Sequence, residues 1–423
     1  CKAVVEKPED ENGVSSFQAL MVSTASRVGT GNIIGVSSAI CIGGFGSVFW
    51  MWIIAIIGSA SALIESTLAQ IYKRKGKDGE CYGGPAYYIE AALHCRPLAI
   101  IFCISMIATY AFGFNMLASY NLQSTFSGFS FYDVKWTPWI IGGILALITG
   151  WCLLGGGSRI VKVTSTLVPA MGVAYILISV IVMIINRAYL PVVFSKIISE
   201  AFDFKAIFGA FAGSAMMQGI RRGLYSNEAG IGSAPNASAS AQVSHPIKQG
   251  LVQMLSVFID TLLLCTATAM MCLSSGIAPA QELQGAPWVQ AALHESLGNF
   301  GPLFITVAMV LFAFTTLLGN CFYCDNLLNY IHKGQPSKTF MKGFRIVSAL
   351  VVFIGAGMEV SMLWNISDVL MGVMALINIP VILILSNTAL KALADYEKQK
   401  KNGENPVFKT RNIGLEYETD YWS

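Results

Sequence analysis

Two stretches of this sequence place glycines and polar residues inside otherwise apolar runs. The first reads Ser23-Thr24-Ala25-Ser26-Arg27-Val28-Gly29-Thr30-Gly31-Asn32. The second reads Gly213-Ser214-Ala215-Met216-Met217-Gln218-Gly219-Ile220-Arg221-Arg222-Gly223, then Tyr225-Ser226-Asn227-Glu228-Ala229-Gly230. Glycine permits a helix to unwind and lets a ligand approach the main chain. Unwound backbone survives at membrane depth only where it lines a protein cavity, because lipid satisfies neither N–H nor C=O. A half-helix that starts there presents N–H groups to a carboxylate, and one that ends there presents carbonyls to a cation. An amino-acid zwitterion together with Na⁺ suits both ends. Small residues in membrane helices also serve plain close packing. The clustering of Gly29, Thr30, Gly31 and Asn32 beside Arg27, an ionisable residue at membrane depth, favours a site.

These stretches need helices to hold them, and the composition supplies them. Of 423 residues, 54% are hydrophobic and 12% charged, with mean hydropathy +0.60. A soluble domain carries about 25% charged residues, so most of this surface does not face water. The net charge of +3 and the lack of a basic tract outside the loops argue against nucleic-acid binding. Ten apolar runs approach the ~20 residues a spanning helix needs: Ser15–Ile42, Phe45–Ile71, Leu98–Phe126, Pro138–Leu154, Val163–Ile185, Ala206–Gly219, Gly250–Leu273, Pro302–Leu328, Phe344–Gly357 and Met362–Leu385. The expectation is one all-α integral membrane domain over 1–423. Its first and sixth helices are broken, and each opens a five-helix half. Paired interruptions point to an inverted 5+5 repeat, with repeat one at about 14–187, repeat two at about 206–386 and a cytoplasmic tail from about 387 to 423.

Lys and Arg concentrate in the even loops. These hold Lys73, Arg74, Lys75, Lys77 and Arg96, then Arg159 and Lys162, Arg221, Arg222 and Lys248, and Lys333, Lys338, Lys342 and Arg345. The opposite side shows Lys135, Arg187, Lys196 and Lys205. This bias predicts that both termini are cytoplasmic. Cys1 to Glu11 is polar and carries no signal-peptide pattern. The ten cysteines are scattered; Cys321 and Cys324, one helical turn apart, read as packing residues rather than a metal site. His94, His245, His294 and His332 lie in or near loops and receive no chemistry. Glu65, on the second helix, either accepts N–H groups freed at a helix break or pairs with Arg27. Glu228 reads as a loop brace or cytoplasmic gate.

Thr24 to Ile33, Gly83-Gly84-Pro85-x-Tyr87-Tyr88 and the long run Arg222-Gly223-Leu224-Tyr225-Ser226-Asn227-Glu228-Ala229-Gly230-Ile231-Gly232-Ser233-Ala234-Pro235 resemble the signature of the alanine or glycine:cation symporter family. Phe312 to Gly319 and Trp364-Asn365-Ile366-Ser367-Asp368 match it too, so the resemblance covers nearly the whole chain. It implies a leucine-transporter-type fold and Na⁺ as coupling ion, with no organic cofactor. Because members usually carry one more N-terminal helix, it also implies a segment preceding this chain. By that resemblance Na⁺ would meet the carbonyls of Ala25, Val28 and Phe312 and the hydroxyls of Thr315 and Thr316. Spacing alone leaves two readings open for the threonines, a shared oxygen cage or bonds back to their own helix. The substrate carboxylate would meet the N–H groups of Gly31 and Asn32, with Thr24, Thr30 and Thr316 nearby. A sixth-helix break at Gln218 and Gly219 would cover the other side, and Asn320 would face the same cavity. Alanine-selective members tend to have Trp at the positions of Gln218 and Asn320, and Gln at that of Ser119. The smaller side chains here imply a roomier pocket, with glutamine a candidate beside alanine, glycine and serine.

The resulting expectation is a sodium:neutral amino acid symporter working by alternating access in the plasma membrane, a bacterial inner membrane, with lipid, amino acid and ion as its partners. An enzyme would need a nucleophile or metal constellation in the helices, and neither His-Glu-x-x-His nor Gly-x-Ser-x-Gly occurs there. Channels often build selectivity from rings in symmetric oligomers, which suits two broken helices in one chain poorly. Proton coupling, exchange and amino acid sensing stay open at this level.

Overall fold

A computed structural model describes residues 3–4, 13–76, 81–203, 213–415 and 419–422. Eight helices among them are long and apolar enough to cross a membrane. They are α3 (Gly46–Ile71), α5 (Arg96–Ser124), α6 (Thr137–Leu154), α7 (Gly157–Ile185), α11 (Pro246–Leu273), α13 (Phe300–Ile331), α14 (Lys338–Ala356) and α15 (Val360–Lys401). The rest of the frame consists of shorter helices: α1 (Ser16–Arg27), α2 (Gly31–Gly43), α4 (Pro85–Leu93), α8 (Leu190–Ala201), α9 (Ala215–Asn227), α10 (Ala234–Ser238) and α12 (Ala286–Leu297). The described strands are a two-residue antiparallel pair, Arg74–Lys75 against Cys81–Tyr82.

α1 starts at a capping box, in which Ser15 Oγ accepts the Gln18 N–H at 3.1 Å and Gln18 Oε1 accepts the Ser15 N–H at 2.9 Å. α11 and α13 are the central posts, with 67% and 61% of their apolar windows buried against 28% for α7 and α14. Outward-facing Ile57, Leu147, Trp151, Ile184, Leu376 and Leu383 are exposed. Such a belt of large apolar side chains suits lipid rather than water.

The first run is broken as expected. α1 stops at Arg27, Val28 leaves helical geometry at ψ 85°, and α2 begins at Gly31. The sixth run differs from expectation. Its first residues, 206–212, and Lys205 and Lys77 lie outside the described residues. Gln218 and Gly219 sit within α9, and the break lies beyond them, from Glu228 to Ser233. Glu228 (φ 53°), Gly230 (φ 82°) and Gly232 (φ 88°) carry the left-handed turns that separate α9 from α10. Gly219 and Gly223 serve packing instead. A Cβ on Gly219 would lie 2.4 Å from the Ser47 carbonyl, and one on Gly223 2.5 Å from Ile54. Arg221 and Arg222 therefore belong to a helix, not to a cytoplasmic loop. The helix of the tenth run continues past its expected end, through Lys401.

These contacts separate two kinds of glycine. Gly219→Ala should lower the melting temperature of the purified protein, as overpacking by about 1–3 kcal/mol does. Gly372→Ala, with no atom within 4 Å of the added carbon, should leave it unchanged. Thermal unfolding of both variants in detergent checks this.

Candidate functional site

The site begins where α1 ends. Val28 N–H takes the Thr24 carbonyl at 2.7 Å, but the Gly29 N–H turns to the Asn32 side-chain oxygen at 2.8 Å. The last carbonyls of α1 and the first N–H groups of α2 thus face the interruption, with opposite partial charges. Polar side chains from four neighbouring segments converge there. Ser26 Oγ lies 2.8 Å from Glu228 Oε1 and 2.7 Å from Asn320 Oδ1. Ser233 donates to the other Glu228 oxygen at 2.8 Å, and Asn320 donates to Asn115 at 2.9 Å. One carboxylate therefore links both helix breaks, and Asn320 joins them to α5.

A second bundle of bonds lies beside it. Asn32 Nδ2 donates to Asp260 Oδ1 at 2.8 Å and to Ser226 at 3.1 Å, and Ser226 donates to Asp260 Oδ2 at 2.7 Å. Glu65 accepts the Gly230 N–H at 3.2 Å and the Asn378 amide at 2.9 Å, so it braces the second break. Arg27 is 1% exposed. It reaches the carbonyl and side chain of Gln253 at 3.4 and 3.3 Å, while its Nε and Nη2 have no hydrogen-bond partner among the described residues.

The residues expected for Na⁺ fall into place unevenly. Ala25 and Val28 flank the break. Thr316 is buried, its hydroxyl has no hydrogen-bond partner among the described residues, and it rests so close to Gly29 that a Cβ there would lie 2.0 Å away. Thr315 instead bonds back to the Leu311 and Phe312 carbonyls of its own helix at 3.0 and 3.1 Å. The spare hydroxyl of Thr316 beside the carbonyl end of α1 fits a hard cation, which prefers oxygen ligands.

Of the residues expected to hold substrate, Thr24, Thr30, Gly31, Asn32, Thr316 and Asn320 gather at the break. Thr24 pairs with Ser256 at 3.2 Å, and Thr30 receives a bond from Asn121 at 3.2 Å. The Asn32 side chain braces the break, and its backbone N–H donates to the Gly29 carbonyl at 3.2 Å. Ser119 lies on α5 between Asn115 and Asn121, and its buried hydroxyl has no hydrogen-bond partner among the described residues. Gln218 and Gly219 do not join the group. Gln218 packs by Gly43, at the far end of α2. It stands eight residues before Ser226, about 12 Å along α9. The roomier pocket inferred from Gln218 therefore loses that wall. Ser26, Glu228, Asn115, Ser226 and Asp260 were not foreseen as site residues. The left-handed glycines at 230 and 232 were the available signal for Ser226 and Glu228.

The two sides of the break differ. Alongside the first turns of α2, Tyr225 meets Phe114 edge-on at 4.9 Å and Trp364 at 5.0 Å. Arg222 lies over the Trp364 ring at 4.0 Å and pairs with Asp368 at 2.6 Å. Toward the start of α1, a cavity of about 1180 Å³ is lined by Gln18, Val161, Lys162, Asn236, Asn326 and Arg345, among others.

Residues 1–410 match the model of the sodium:alanine symporter family. The chain belongs to that family. It is 44% identical to the amino-acid carrier protein AlsT of Bacillus subtilis (strain 168), over 97% of this chain and 86% of the relative. The probable sodium/glutamine symporter GlnT of the same organism is 42% identical, over 94% and 82%. The sodium/alanine symporter AgcS of Methanococcus maripaludis is 37% identical, over 95% and 89%. In fold the chain is similar to MhsT in complex with L-phenylalanine, at TM-score 0.59 and 15% identity over 89% of this chain and 90% of that one. It is also similar to the Eremococcus coleocola manganese transporter, at 0.58 and 13% over 99% and 85%. Family and relatives are transporters, not enzymes, and this chain is a multi-pass membrane transporter. The family implies Na⁺ coupling.

Thr316→Ala should raise the Na⁺ concentration for half-maximal uptake about tenfold, the effect of ~1.4 kcal/mol. Thr315→Ala should raise it less. Na⁺ titration of uptake by both variants is the check.

Proposed function

We propose that this protein is a sodium:neutral amino acid symporter that carries alanine, glycine, serine or glutamine by alternating access. The observation that carries the reading is the unpartnered Thr316 hydroxyl resting on Gly29, where the carbonyl end of α1 meets the N–H end of α2. In this reading Na⁺ binds between the carbonyls of Ala25 and Val28 and the Phe312–Thr316 segment, with Thr316 the main side-chain ligand. The ion draws α1 toward α13 and orders the N–H groups of Gly31 and Asn32. Those groups then bind the substrate carboxylate, with Thr24, Thr30 and Asn320 around it and Ser119 towards the substrate side chain.

The architecture in this reading is ten spanning helices in two inverted five-helix repeats, about 14–187 and 206–386. The basic residues Lys162, Lys338, Lys342 and Arg345 around the large cavity support a cytoplasmic location for its end of the bundle. Both ends of the chain lie on that side of a plasma membrane. The Arg222–Asp368 pair and the Tyr225–Trp364 stack then close the outer path while the cavity opens inward. Entry of one Na⁺ adds about 2.3 kcal/mol per 100 mV of membrane potential to the drive. The burial of three carboxyl side chains, Glu65, Glu228 and Asp260, favours a second reading, in which a proton replaces Na⁺.

Uptake of labelled alanine and glutamine into proteoliposomes tests both readings. An inward Na⁺ gradient should drive accumulation, and excess unlabelled glutamine should compete with alanine. Accumulation that follows only a pH gradient would replace Na⁺ by H⁺. No competition by glutamine would restrict the pocket to small side chains.

A further inference from the structure

Residues beyond α15 fold back across the bundle end that holds the cavity. Gln399 clasps Val407 through two bonds of 2.9 Å, one to its carbonyl and one from its N–H, which reverses the chain. Pro406 and Phe408 then bond to Ser244 at 2.8 and 2.9 Å, and Asn405 accepts from Lys248 at 3.0 Å. The returning chain closes on itself where Thr410 N–H meets the Trp422 carbonyl at 3.0 Å. Phe408 and Trp422 are 2% and 6% exposed and meet edge-on at 5.6 Å.

The same segment grips the end of α3. The Trp422 indole donates to the Gln70 carbonyl at 2.8 Å. Asp420 pairs with Arg74 at 2.8 Å and accepts the Lys75 N–H at 2.9 Å. Lys73 lies over the rings of Tyr421 and Trp422 at 4.6 and 5.0 Å. Gln70 and Lys73 in turn each donate to the Ala241 carbonyl at 3.0 Å, and Gln70 also donates to Ser238, the last residue of α10. The next residue, Gln242, donates to the Val14 carbonyl at 3.0 Å, just before α1. One connected set of bonds thus joins the start of α1, the end of α3, the piece after the second break and the start of α11.

We propose that residues 402–415 and 419–422 form a strap that makes these four ends move as one body during transport. The elements it fastens include both broken helices, the parts that bear the ion and substrate in the reading above, on which this inference rests. The contacts are distributed along the strap and mix backbone bonds, an ion pair and buried rings. A segment built to detach would hold by fewer. The strap therefore travels with the broken helices and never releases.

The test compares three forms of the otherwise full chain: one ending at Asn402, Trp422→Ala, and an Arg74→Cys/Asp420→Cys pair closed by a short thiol cross-linker. Both strap-weakened forms should lose amide protection at 70–75 and 238–248 by hydrogen exchange, a readout independent of substrate. They should also cut gradient-driven uptake at least about fivefold, as expected where conformational steps set the rate. The cross-linked form should transport like the wild type. A cross-link that stops uptake, restored by using a cleavable linker, would overturn the strap and make the segment a latch that must open. Unchanged exchange in the shortened chain would overturn it as well. A wild type that carries neither amino acid would count against the proposed function alone, since exchange still reports on the strap.

Discussion

A helix interrupted inside a bilayer leaves backbone groups that lipid cannot bond. In this protein two helices are interrupted, and the surrounding structure answers that one constraint. Gly29 is satisfied by Asn32, Gly230 by Glu65, and the two breaks meet through Ser26, Glu228 and Ser233. Asn32 and Ser226 share Asp260, which ties both breaks to the central post α11. Asn320 and Asn115 tie them to α13 and α5. The network satisfies most of the freed groups but leaves the Thr316 hydroxyl without a hydrogen-bond partner among the described residues.

Close packing makes such an arrangement possible. Gly219 and Gly223 let α9 lie against α3, and Gly319 lets α13 approach Ser26 so closely that a Cβ would stand 2.7 Å from its nitrogen. Small residues at helix crossings do the same work in membranes generally, where apolar burial gives no preference for helix over lipid. These contacts place Ser26 against Asn320 and Thr316 against Gly29. The polar network therefore depends on glycines that touch no ligand.

Much of this was legible in the chain. Apolar run length located the eight described helices long and apolar enough to cross a membrane, and the cluster Gly29-Thr30-Gly31-Asn32 marked the first break because polar and flexible residues coincide there. The second break was misplaced by about ten residues. Gln218-Gly219 carries the same residue types as a break, but its glycine serves helix packing, and composition alone does not separate the two uses. Arg221 and Arg222 looked like loop charges for the same reason. The pair with Asp368, 146 residues away, and the ring of Trp364 are what allow Arg222 to be buried in a helix. Thr315 and Thr316 are neighbours with identical side chains, and only the three-dimensional position of Gly29 distinguishes the one that bonds its own helix from the one left free. The resemblance assigned only the Asn32 N–H a role, while nothing in the sequence signalled that its side chain joins Asp260 and Ser226.

The central claim is that the ion and the amino acid meet at the first-helix break, each ordering the backbone the other needs. Linkage makes that claim measurable without transport. Calorimetric titration of the purified protein with alanine or glutamine, in Na⁺ and in choline, reports the coupling directly. Substrate affinity should rise at least about tenfold in Na⁺, and Na⁺ affinity should rise by the same factor with substrate present. Substrate binding of equal strength in choline would contradict a shared site at Gly29 and Thr316.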